Sequence, residues 1–242
     1  MSAKTRKQAE IEYPNAVGED GRAWLREKPF GHEPRMTSRL IIDFGYVVQL
    51  LGLHPGMTLC ELGCGSGWMS RFAARQGVYA EGWDISQQMI EIARDLAEAE
   101  GVADEAQFHV GDMETLDLER RFDAVLIYDA LHHSPRADLV FAAARRALKP
   151  GGRILLAEPN WKHRFQGRPA SEEYGVTELG YSPRQLKRLL RDAGFTKIQR
   201  FHNNRKRLFS NTPAQVLAHL TEPIAFRILA PFWTQIWLRA DS

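Results

Sequence analysis

From Gly56 onward, short apolar runs rich in β-branched residues alternate with stretches of helical period, and that alternation confines the chain to parallel strands joined by helices. Strands are expected over 57–62 (MTLCEL), 78–83 (VYAEGW), 106–110 (AQFHV), 122–128 (FDAVLIY) and 152–158 (GRILLAE), with two more over 195–201 and 232–239. Seven strands with intervening helices make an α/β fold built on a doubly wound, mostly parallel sheet. The stretch SQQMIEIARDLAEAEG opens on Ser86 as N-cap and closes on Gly101, with Met89, Ile92, Ala93, Leu96 and Ala97 as its apolar stripe. SPRADLVFAAARRALKPGG reads likewise, with Pro135 at the first helical position and Lys149 to Gly152 as stop and turn.

Residues 1–55 stand outside the alternation. They carry Tyr13, Trp24, Phe30, His32 and a helical pattern in MTSRLIIDFGYVVQLLGL, and are expected to form a helical cap over a core of residues 56–242. Pro159 to Pro183 shows no clear period and is long for a connection inside a compact domain, which marks it as a lid; a second insertion is placed near 202–231. At 242 residues and 44% apolar composition the chain can bury a sizeable core. Its first residues, MSAKTRKQAEIEYPN, hold no apolar signal, and no run approaches the roughly 18 apolar residues of a membrane span, so a cytoplasmic location is expected. Cys60 and Cys64, the two cysteines, read as reduced thiols, and their spacing matches no structural zinc site, so no metal is expected from them.

The stretch TLCELGCGSGWMS places Gly63, Gly65 and Gly67 directly after the first strand. A dinucleotide fingerprint would put its third glycine where Trp68 stands, and Glu61 at the strand end would repel a pyrophosphate. An ammonium would be welcome there, so the loop is shaped for a cationic ligand.

This E-x-G-x-G-x-G pattern resembles motif I of the class I S-adenosylmethionine (SAM)-dependent methyltransferases, and the resemblance continues along the chain. The second strand ends in GWDIS, the third in VGDMETL, the fourth in FDAVLIYDALHH, and LKPGG precedes the fifth. The resemblance implies SAM as cofactor and S-adenosylhomocysteine (SAH) as product. It further implies that Asp84, with Ile85 beside it, grips both ribose hydroxyls. Asp112 would accept from the adenine amino group, with Met113 against the ring. Gly63, Cys64, Gly65 and Gly67 would let backbone amides approach the methionine and ribose moieties, and Tyr128 closes the row of strand ends where such ligands bind.

DALHHS places His132 and His133 just past the fourth strand, where the methyl group would lie, and an imidazole can take a hydroxyl proton near neutral pH. Either could be that base, or neither, since both could cap the helix that follows. Between Ser182 and Arg207 nine Lys or Arg face the single Asp192, so the rest of a +2 chain carries −6. Arg184, Lys187, Arg188 and Arg191 suit the wet face of an amphipathic helix, whereas NNRKR (203–207) could meet phosphate or a membrane surface. Stacking aromatics are absent from the basic stretch, which argues against nucleic acid as partner. The expectation is a methyltransferase acting on a small molecule, at oxygen; RNA methylation and a SAM-binding accessory subunit without transfer are the alternatives.

Overall fold

The structure is a computed structural model that describes residues 3–31, 34–166, 168–201 and 235–242. The second insertion near 202–231, the NNRKR cluster and His32 lie outside these residues. Five parallel strands, β1 (Thr58–Leu62), β2 (Tyr79–Asp84), β3 (Ala106–Val110), β4 (Phe122–Tyr128) and β5 (Leu148–Glu158), continue into β6 (Thr196–Phe201) and β7 (Ile236–Asp241). They form one sheet in the order β3-β2-β1-β4-β5-β7-β6, with β7 antiparallel to both its neighbours. The strand order reverses between β1 and β4, and the crevice beyond the carboxyl ends of these strands is where an open α/β sheet receives a ligand.

Strand alternation sorts the core onto two faces. Leu59, Ala124, Leu126, Leu155, Ala157 and Trp237 pack on one face with Leu40, Val47 and Leu51 of helix α3 (Pro34–Leu51) and Trp68 and Met69 of α4 (Trp68–Ala74). Cys60, Leu62, Val125, Ile127, Ile154 and Leu156 face the other way, against α6 (Ala137–Ala147) and α9 (Pro183–Asp192). Helix α5 (Gln87–Ala99) covers β2 and β3 through Ile90, Ala93 and Ala97. Ahead of α3 run α1 (Ala3–Ala16) and α2 (Gly18–Glu27), while α7 (His163–Gln166) and α8 (Arg168–Tyr174) give local order to the segment between β5 and α9.

Ser86 caps α5 as expected, its hydroxyl accepting from the Met89 amide. Pro135 does not open α6, which starts at Ala137. The preceding turn is tied down instead: the Ser134 hydroxyl donates to Glu114 Oε1 at 2.6 Å and accepts from the Arg136 amide. Nor does LKPGG stand wholly ahead of the fifth strand, because pairing with β4 already begins at Leu148 and the glycines form an irregularity within the ladder. In α9, Leu186 and Leu190 are buried and the basic residues lie on the other side, as an amphipathic helix requires.

Candidate active site

The β1–α4 loop is wound tightly onto the end of β2. Gly63 and Cys64 donate their amides to the Trp83 carbonyl at 2.7 and 3.1 Å, Gly65 donates to Asp84 Oδ2 at 2.8 Å, and Gly67 donates to the Cys64 carbonyl. The glycines are needed for backbone shape: all three have positive φ, and a Cβ on Gly67 would stand 2.3 Å from the Phe108 ring. Gly65 has open space where its Cβ would be. The amides expected to approach a ligand are therefore largely spent inside the protein.

Seven carboxylates are among the residues that line the cavity. Asp84 accepts from Gly65 N through one oxygen and from Ser86 N through the other, which fixes its plane and leaves lone pairs for a further donor. Burial raises its pKa, against the pull of those two amides. Glu61 is buried and bonded to Ser70 at the start of α4, accepting from its hydroxyl at 2.5 Å and its amide at 3.1 Å. Burial lifts Glu61 to about 7 despite these bonds. Asp112 accepts from the Glu114 amide, and Lys7 of α1 bridges Asp112 and Glu114 with 2.5 Å contacts to each. Met113, Ile85 and Cys64 line the same cavity of about 300 Å³, along with Trp83. The Tyr128 hydroxyl, at the wall, donates to Asp43 of α3 at 2.6 Å.

At the opposite end a 3-10 turn, Leu131–His133, carries the paired histidines. Glu158, fully buried at the end of β5, accepts four hydrogen bonds: from the Ala130 and Leu131 amides through Oε1, and from the His132 amide and Nδ1 through Oε2, the last at 2.9 Å. With Nδ1–H committed to a carboxylate, the neutral ring of His132 carries its lone pair on Nε2, which stands 3.8 Å from Glu178 Oε2. His133 differs. Its Nδ1 donates to the Thr177 carbonyl at 2.9 Å and lies 3.4 Å from Glu10 Oε2, and although burial opposes the charge, the bond to Glu10 and the fields of Glu10, Glu178 and Asp129 raise its pKa to about 9. The two rings are thus held by different partners, His132 by Glu158 and His133 by Thr177 and Glu10.

Four participants were missed in the sequence: Glu10, Lys7, Glu158 and Glu178. Glu10 reaches the Thr177 amide at 2.6 Å, Ser86 bonds the Ile11 carbonyl, and Tyr13 meets Tyr174 edge-on, so α1 spans the cavity between the β2–α5 turn and the α8 segment. Glu158, a lone carboxylate ending an apolar run as Glu61 does, carried a readable signal; the others did not.

Residues 59–152 match the family model of a methyltransferase domain. That stretch, from β1 to the turn inside β5, is thus similar to a methyltransferase domain. Among curated relatives, a sterol 24-C-methyltransferase of Gibberella zeae is 34% identical over 44% of this chain and 29% of its own length. The 27-O-demethylrifamycin SV methyltransferase of Amycolatopsis mediterranei is 35% identical over 51% of this chain and 44% of its own. This chain thus spans less than half the length of these relatives. Geranyl diphosphate C-methyltransferase from Streptomyces coelicolor, solved with Mg2+, geranyl diphosphate and SAH, shares the fold with TM-score 0.68 and 17% identity over 99% of both chains. No helix among the described residues is long and apolar enough to cross a membrane.

Proposed function

We propose that this chain binds SAM along the cavity and transfers its methyl group to a small-molecule acceptor, at oxygen. The observation that carries this reading is the division of one cavity into a carboxylate end, built where β1, β2 and β3 stop, and a histidine end on the turn after β4. Asp84 offers its remaining lone pairs to the ribose diol, and Glu61 faces the ammonium and becomes ionised by it. Asp112, which Lys7 contacts together with Glu114, would accept from the adenine amino group, with Met113 beside the ring. The relatives named for sterol and rifamycin methylation support a small acceptor.

Bound there, SAM would supply a methyl group already activated on a sulfonium. The protein aligns the acceptor oxygen for in-line displacement and excludes water. His132 Nε2 would take the proton of the acceptor hydroxyl, and Glu158 would stabilise the imidazolium so formed. His133, already protonated near neutral pH, cannot serve as that base while Glu10 holds it. Helix α1 and the 159–183 segment cover the acceptor.

Labelled SAM offered with pools of small hydroxylated metabolites tests the proposal. Label should pass to an organic-extractable product, and His132→Ala should lower the rate about 10²- to 10⁴-fold with SAH affinity unchanged. Transfer that survives His132→Ala intact would remove the base, and transfer to RNA alone would replace the acceptor class.

A further inference from the structure

The histidine end of the cavity brings together more ligating groups than a proton transfer needs. One donor atom from each of His132, His133 and Glu178 lies within 4.8 Å of the other two, although Glu178 is more than forty positions away in sequence. His163 of α7 joins them, its Nε2 at 2.5 Å from Glu178 Oε2 and its ring edge-on to His132 at 4.6 Å.

Both adjacent histidines are oriented as metal ligands are. The Nδ1–H of His132 is fixed by the buried Glu158 carboxylate, and the Nδ1–H of His133 by the Thr177 carbonyl, which are the two kinds of partner that set the tautomer and aim of a ligating imidazole. Glu178 is bound to His163 through one oxygen and keeps further lone pairs. Glu10 and Asp129 lie close enough for their fields to act on His133, so negative charge surrounds the cluster from α1, from the end of β4 and from the 175–182 segment. That field favours a dication over a neutral guest.

We propose that His132, His133 and Glu178 form a site for a divalent transition metal ion of the zinc class, and that the ion competes with the acceptor's proton for the His132 lone pair. Two imidazoles and one carboxylate select zinc-class ions over magnesium or calcium, which take oxygen ligands, and three protein ligands leave a coordination position open to the cavity. Coordination forms a metal–nitrogen bond at each imidazole through the ring nitrogen left free of its Nδ1 partner. The metal site stands on geometry alone; the competition rests on the methyl transfer proposed above.

The test is equilibrium dialysis of the full chain against zinc, together with the visible absorption of the cobalt(II)-loaded protein. One ion per chain is expected, with a tetrahedral or five-coordinate cobalt spectrum. Glu178→Gln and His133→Ala, checked by circular dichroism and SAH binding, should each weaken retention at least tenfold. X-ray absorption on the zinc-loaded parent, which needs no variant, should count two imidazoles. In the transfer assay zinc should inhibit and a chelator should restore activity. No retained zinc, one imidazole or none at the ion, or equal affinity in parent and both variants would overturn the site. Transfer unaffected by bound zinc would overturn the competition alone, whereas a chain that transfers no methyl group but gives the cobalt spectrum would refute the methyl-transfer reading and leave the site standing.

Discussion

Replacing Glu158 with glutamine changes no volume yet meets four donors that converge on one buried carboxylate. The least costly placement keeps the amide oxygen at the Oε1 position, where it still accepts from Ala130 and Leu131. The new NH2 then faces the His132 amide, which is orphaned, and Nδ1, which must give up its proton and accept. One orphaned buried amide costs about 1–3 kcal/mol, and weakening charge-assisted bonds to neutral ones adds about 1–2, so a loss of about 2–5 kcal/mol is expected. The same change drives the His132 proton onto Nε2 and abolishes the lone pair in the cavity. Urea unfolding of Glu158→Gln should therefore show the midpoint falling with unchanged slope, and methyl transfer should drop as far as in His132→Ala. Stability within about 0.5 kcal/mol of the parent together with full turnover would show that Glu158 neither accepts these bonds as a carboxylate nor sets the tautomer.

Gly67→Ala should destabilise markedly because its Cβ would strike Phe108, while Gly65→Ala, strained only in its backbone, should cost about 1 kcal/mol yet weaken SAH binding; urea curves and calorimetry on both variants separate the two effects. Glu61, raised to about 7 by burial, is protonated in the free protein below that pH. Binding of an ammonium-bearing ligand should then take up its ionised form and release a proton, so affinity rises up to tenfold per unit as pH climbs toward 7 and levels off above it. A flat profile from pH 5 to 8 would place the ammonium elsewhere. Lys7→Ala removes the tie from α1 to Asp112 and Glu114, and limited proteolysis should cut α1 faster in this variant, with ligand protecting the parent more than the variant.

The central strands β1, β4 and β5 were readable because most of their residues are buried on both faces, and short apolar runs then mark them. Glu61 was readable as a carboxylate near the end of such a run, whereas Asp84 and Asp112 were singled out by the motif resemblance. The start of α6 was misplaced because Ser134 and Glu114, twenty residues apart, settle the turn that Pro135 alone suggested. Lys7 meets Asp112 across 105 positions and Glu10 meets Thr177 across 167, and no local pattern encodes such pairings. The different partners of His132 and His133 were likewise closed to sequence, since they depend on which acceptor each Nδ1 finds.

Titration calorimetry of SAH and of NAD into the parent chain and Asp84→Ala tests the central claim most directly. The account predicts one SAH per chain, no heat with NAD, and at least a tenfold loss of SAH affinity in a folded Asp84→Ala protein, since each charge-assisted bond to a ribose hydroxyl is worth about 1.5–3 kcal/mol. NAD binding without SAH binding, or an unchanged SAH affinity in that variant, would contradict it.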